Sequence, residues 1–383
     1  RWNDFLQVKP DEPNSIELKC YYFRAKLAMG DELAAWEGAE RLWVHGKSQP
    51  KQCDPLFQAW LKADQLSDEV VWARLLKAFD ARQRSLMRYV AKKGSSELNP
   101  WSEKLLAVYA QPERMRRQSL PAESPYSADI ASRGLVYLAR YNPVKALDYW
   151  ESYRDELAFS AERVAAVEYA ISLQGLFAKS DELKTWLHSA LGRQEDDKLV
   201  QLRLRWALAE QDWPALEQTL PLLSDELQEE GVWRYWKAIA LEQRGELDAG
   251  REILTEIAGE RDYYSFLAAD KLGLPYVFNH QPLVLESAAT RPLQKLPAVK
   301  RIGELHFHEE NTDARSEWFK MLHDTEDADR HQQLAKLASD EGWDQLAIDA
   351  ANRAKAWDAL DLRFPMLYQD TFQRYASAQQ VPS

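Results

Sequence analysis

Glycine is scarce in this sequence, 14 of 383 residues, and that scarcity disfavours a loop-rich fold. Each glycine in a helix interior costs about 1 kcal/mol against alanine, so a chain poor in Gly and rich in Ala and Leu is predicted to be helical. Basic residues are outnumbered, 49 against 61 acidic, for a net charge of −12. A nucleic-acid groove needs a local basic surplus, and the densest run, Arg114-Met115-Arg116-Arg117, is short and isolated. No nucleic-acid partner is expected. Apolar runs all fall short of the ~20 residues that cross a bilayer, so no membrane span is expected, and no signal peptide is visible. The first residue is Arg1, not Met, which predicts a processed or trimmed product. Period-2 alternation is not sustained anywhere, which argues against strands.

Chemical motifs are also missing. Gly46-Lys47-Ser48 has the end of a phosphate-binding loop but not its beginning, since position 41 is Arg. His306-Phe307-His308-Glu309-Glu310 places two His at i and i+2, about 200° apart on a helix, which does not suit one metal ion. No G-x-G-x-x-G, H-E-x-x-H or G-x-S-x-G occurs. With 61 acids, a catalytic carboxylate pair cannot be singled out. No catalytic, cofactor or metal residue is assigned. The two cysteines, Cys20 and Cys53, leave two readings open: separate buried thiols, or a disulfide.

Hydrophobic residues make up 45% of the chain, enough for a large core. Their spacing is helical. Val232, Trp236, Ile239 and Ala240 form one stripe; Leu199, Leu202, Trp206 and Ala209 form another. Helix starts recur as a small or capping residue, two acids and an aliphatic: Gly30-Asp31-Glu32-Leu33, Ser67-Asp68-Glu69-Val70, Ser180-Asp181-Glu182-Leu183 and Ser224-Asp225-Glu226-Leu227. A second rule runs through the chain. A turn residue is followed five positions later by a small or aliphatic one: Gly30 and Ala35, Tyr141 and Ala146, Gln211 and Leu216, Gly245 and Gly250, Gly342 and Ala347. The turns near Ser180, Gln211 and Gly245 repeat at the period of tetratricopeptide-like hairpins, and Trp233–Ala258 is the clearest single unit. One hairpin cannot bury its stripe alone, so neighbours must stack. The 15 Trp and 16 Tyr are read mostly as wedges between helices, with a few free to line a groove and stack on sugar rings.

The expected fold is therefore all-α: a superhelical array of short hairpins plus a small helical domain. Four prolines crowd into Pro275, Pro282, Pro292 and Pro297. They divide the chain into an array over 1–277, an extended connector over 278–295 and a small helical domain over 296–363. A last segment over 364–383 begins at Phe364-Pro365 and stops on the turn signal Val381-Pro382-Ser383.

Three stretches together resemble the soluble lytic murein transglycosylases of Gram-negative bacteria. The first is Leu18-Lys19-Cys20-Tyr21-Tyr22, then Arg41-Leu42-Trp43-Val44-His45-Gly46-Lys47-Ser48-Gln49-Pro50 and Cys53-Asp54-Pro55-Leu56-Phe57. The second runs from Trp233-Arg234-Tyr235-Trp236 through Asp262-Tyr263-Tyr264-Ser265-Phe266-Leu267-Ala268-Ala269, and the third joins Asn311-Thr312-Asp313-Ala314-Arg315-Ser316-Glu317-Trp318 to Phe364-Pro365-Met366-Leu367-Tyr368. The resemblance covers nearly the whole chain. It implies a ring-shaped U domain, a linker domain and then a lysozyme-like catalytic domain, with 364–383 as the opening of the last. The family's catalytic Glu, in a Glu-Ser motif, would lie beyond Ser383, so no catalytic residue carries over.

That resemblance also implies a periplasmic location, where disulfides persist, and so a Cys20–Cys53 bond. It implies cleavage of the MurNAc–GlcNAc β-1,4 bond by one Glu acting as acid and then base, leaving a 1,6-anhydro end without metal or organic cofactor. The implied partners are peptidoglycan glycan strands, the catalytic domain of the same polypeptide and other cell-wall enzymes. The alternative reading is a tetratricopeptide-like periplasmic scaffold for a partner protein. A glycosidase or lyase complete within these residues has no motif to support it.

Overall fold

A computed structural model of the protein describes residues 2–285 and 287–381, without the side chains of 287 and 288. The turn signal at Pro382-Ser383 lies outside the described residues. Helices run from Trp2 to Gln379, and no strand is present among the described residues. The chain forms two compact units, Arg1–Gly245 and Glu246–Ser383, and the division falls inside the segment Trp233–Ala258.

In the first unit the turn rule has a local cause. Gly30 and Gln211 adopt φ of +86° and +56°, left-handed values that end a helix. The next residue caps the following helix: Asp31 accepts from the backbone N–H of Ala34 at 3.4 Å and Asp212 from Ala215 at 3.2 Å. After Tyr141, Asn142 accepts from Lys145 at 2.9 Å. Four residues past each cap, Ala35, Ala146 and Leu216 are fully buried. Cap, first turn and buried contact therefore come as one short cassette.

Each helix packs on its neighbour or next neighbour. Ile16–Ala28 pairs with Glu32–Trp43, and Asp68–Asp80 with Arg84–Ala91. Pro125–Ala139 contacts both Pro143–Glu156 and Ala161–Ala178, and the last contacts Asp197–Glu210. This nearest-neighbour pattern is that of a helical-repeat array. It buries one continuous core from Cys20 to Ala240, with Trp60, Trp150 and Trp206 among its largest fully enclosed side chains.

The acidic starts divide. Ser67 caps the helix Asp68–Asp80, accepting from the Val70 N–H at 3.4 Å. Ser180 and Ser224 make no such bond: Asp181–Leu183 is a single 3-10 turn and Asp225–Gln228 one short helical turn. The Ser224 N–H is instead held by the Asp197 carboxylate at 2.8 Å. The longer helices restart at Lys184 and Gly231.

The second unit holds the pair Leu247–Ile257 and Tyr263–Leu272, and a helical cluster of Pro297–Phe307, Asn311–His323, Ala328–Asp340 and Asp344–Arg353. Its core joins Leu293, Ile302, Trp318 and Leu334 to Ala347, five residues after Gly342 at φ +73°. Residues 278–285 are not helical, but Ser287–Gln294 form a helix where proline spacing predicts extended chain. Only Pro292 lies inside that helix, and Pro297 sits at the start of the next. A single interior proline removes one hydrogen bond, and packing on Ala328–Asp340 holds the helix in place.

Candidate functional site

The residues singled out in the sequence take structural places. Cys20, on the helix Ile16–Ala28, and Cys53, in the 3-10 turn Lys51–Cys53, are bonded, with Cα atoms 4.8 Å apart and no exposure. Gly46 lies where a Cβ would meet the Lys77 carbonyl oxygen at 2.6 Å, so its glycine serves close packing and not a phosphate. His306 bonds through Nδ1 to the Asn311 side chain at 2.9 Å and stacks on Trp343 at 5.4 Å, while Phe307 faces solvent. No group of three His, Cys, Asp or Glu able to hold a metal occurs among the described residues. Arg116 lies over the Tyr149 ring at 4.6 Å and donates to the Asp148 carbonyl at 3.2 Å. Of the 15 tryptophans only Trp357 is exposed, at 48%.

Two adjoining cavities in the first unit form a concave site. The larger, about 1000 Å³, lies along the helix Ala161–Ala178. Its floor is small: Ala161, Ala165 and Ala166 are exposed where a packed helix would carry larger groups. Arg140 and Arg154 stand at the wall, with Tyr169 on the same helix as the floor. Opposite come Arg193 and Gln194, from the end of the helix Lys184–Gln194.

The acids here are already engaged. Glu168 is 5% exposed and accepts from Arg193 at 3.1 Å. Asp196 caps the helix Asp197–Glu210, accepting from the N–H groups of Lys198 and Leu199 at 3.0 Å each. Arg154 lies 6.0 Å from the Trp150 ring centroid, and its ion-pair partner, Asp155, is 3.8 Å away with its side chain 85% exposed. Arg140 makes no ion pair among the described residues. Gln194 donates to the buried Ser172 hydroxyl at 2.9 Å, and its Oε1 is buried with no donor.

The smaller cavity, about 540 Å³, shares Val136 and Ala166 with the first and is built on Asp129. This carboxylate, 8% exposed, accepts from Trp72 Nε1 at 3.0 Å, Arg133 at 3.1 Å and Arg163 at 2.8 Å. Arg133 Nε also lies 3.2 Å from Asp80, at an angle that makes an ion pair without a hydrogen bond. Burial pushes the Asp80 carboxyl above its ordinary range, against the pull of Arg133. The hub fixes three helices in register and holds its arginines inward, so it frames the groove without adding free charge. The sequence marks Val164 as part of a core stripe with Val167 and Ile171 but none of the groove's alanines or arginines, because exposed alanines in a helix look like any good helix former.

In the second unit, Phe266, Phe278, Trp357, Arg363 and Phe364 line a cavity of about 850 Å³. Arg261 supports it, donating to the carbonyls of Phe278 and Trp357 at 2.8 Å each and to Asp358 at 3.0 Å. Arg363 covers Trp357 at 4.7 Å. The helix Gln369–Gln379 buries none of its residues, and Phe372 and Tyr375 are exposed.

Helical-repeat packing defines an all-α repeat protein, and the helix Ala161–Ala178 lies along a concave groove with arginines among its lining residues. Residues 292–360 match the family described as soluble lytic murein transglycosylase L domain. The soluble lytic murein transglycosylase of Escherichia coli K12 is 28% identical over 386 residues, covering 100% of this chain and 59% of its own length. A putative soluble lytic murein transglycosylase of Haemophilus influenzae is 31% identical over 196 residues, 51% of this chain and 31% of its own. Among solved structures, an inactive mutant of the lytic transglycosylase Slt from Pseudomonas aeruginosa matches with a TM-score of 0.66 at 29% identity, and the 70-kDa soluble lytic transglycosylase in complex with bulgecin A with 0.68 at 27%. Both matches cover 100% of this chain and 62% of the other. A different description, cucumovirus coat protein, matches residues 31–122, a stretch the full-length relatives also span, and they carry the argument. Along its whole length the chain is similar to soluble lytic murein transglycosylases, and it spans about three fifths of the length of these relatives.

Proposed function

We propose that this chain is the non-catalytic helical body of a periplasmic lytic transglycosylase, comprising a U-type array over 1–277, the connector over 278–295, the linker domain over 296–363 and the opening of a catalytic domain over 364–383. The observation that carries the reading is similarity to soluble lytic murein transglycosylases along the whole chain. The last segment fits, because the helix Gln369–Gln379 leaves Phe372 and Tyr375 without cover from its own unit. In the whole enzyme, a Glu outside these residues would protonate the leaving oxygen of the MurNAc–GlcNAc bond. It would then act as base while the sugar 6-hydroxyl closes the 1,6-anhydro ring, returning the proton. The helical body's part is to hold the glycan strand and the catalytic domain; no metal or organic cofactor enters. Incubating the 383-residue chain with purified sacculi and analysing the soluble products by mass tests this. No 1,6-anhydro muropeptide is expected, and its release would overturn the assignment as non-catalytic.

A further inference from the structure

Resting on that reading, we propose that the groove along Ala161–Ala178 binds the short carboxylate-bearing peptide stems of peptidoglycan, apart from any contact with the sugar chain. Three observations carry this. First, the charge is asymmetric: on a protein of net charge −12, both acids lining the larger cavity are engaged internally, whereas Arg140 and Arg154 stand at its wall without an effective counter-charge. Free guanidinium groups beside a concave surface suit carboxylates, which they grip with paired N–H donors. Second, the floor is methyl-sized. Ala161, Ala165 and Ala166 leave room for a backbone to lie close and offer small contacts to small side chains, as a stem rich in alanine presents. A sugar ring would call for flat aromatic platforms, and Tyr169 is the one aromatic residue lining this cavity. Third, the groove is open to solvent and about 1000 Å³ in volume, the size of a site for a few residues. A protein partner needs roughly 800 Å² of surface on each side for a stable interface.

The experiment titrates the 383-residue chain, by calorimetry, with three probes: a soluble disaccharide–tetrapeptide, the same disaccharide without peptide, and an acidic L-peptide of equal length. The disaccharide–tetrapeptide is expected to bind, and the bare disaccharide not to compete for the site. Arg140→Ala combined with Arg154→Ala is expected to weaken binding about tenfold or more. Arg140→Lys with Arg154→Lys retains part of it, and raised salt weakens it. Both positions are exposed, and an unchanged circular dichroism spectrum verifies folding. The proposal is overturned if the double alanine variant binds as well as the parent, if the bare disaccharide competes fully, or if none of the probes binds. Tighter binding of the L-peptide also overturns it and assigns the groove to a protein partner. Association with whole sacculi is a separate measurement: if it persists while these titrations fail, only the groove assignment falls, and if it is absent, the peptidoglycan reading itself falls.

Discussion

Asp129 shows how much one buried side chain organises. It gathers Trp72 from 57 positions away in sequence, Arg133 from 4 and Arg163 from 34. Removing the carboxylate would leave the Arg163 guanidinium and the Trp72 indole N–H without their partner and Arg133 with Asp80 alone, a change costing about 3 kcal/mol or more. Asp129→Ala is therefore expected to lower the urea midpoint markedly, and a midpoint within error of the parent would contradict the role given to the hub. The sequence could not have exposed it. Asp129 is one of 61 acids, and two of its three partners are brought in by the stacking of helices that no local spacing encodes. Cys20 and Cys53 were visible as a possible pair by count alone, while their bonding was indicated by the family resemblance.

At the scale of the element, the legible features were those whose cause is local. A left-handed turn, a cap and a buried small residue lie within six positions, so Gly30 with Ala35 and Gln211 with Leu216 could be read directly. Gln211 pays a strain cost at φ +56° that glycine would not. Gln211→Gly is expected to raise thermal stability by about 0.5–1 kcal/mol; a loss of stability would show that the Gln side chain itself holds the turn. Ser180 and Ser224 carry the same acidic signature as Ser67 yet make only single turns, since tertiary context overrides a local start signal. The helix Ser287–Gln294 escaped the proline argument for a similar reason: its hold comes from the helix it packs against. The Cys20–Cys53 bond spans 33 positions and ties the helix Ile16–Ala28 to the turn before the next pair. Its removal by Cys20→Ser with Cys53→Ser is expected to cost about 3–4 kcal/mol by the loop-entropy model. Equal melting of the reduced and oxidised parent would contradict that.

At the scale of the whole molecule, two compact helical units each bury their own core. No helix among the described residues is long and apolar enough to cross a membrane. The all-α class followed from composition and spacing, and the family resemblance from dispersed strings such as Asp262–Ala269 that carry no chemistry of their own. The groove stayed hidden because a concave face of alanines and exposed arginines differs from a solvated helix only when its neighbours are in place. The central claim is that this helical body engages the cell-wall polymer without the catalytic step. Co-sedimentation of the purified 383-residue chain with intact sacculi tests it most directly. The account predicts saturable association that soluble disaccharide–tetrapeptide reduces; a chain that remains wholly in the supernatant would contradict it.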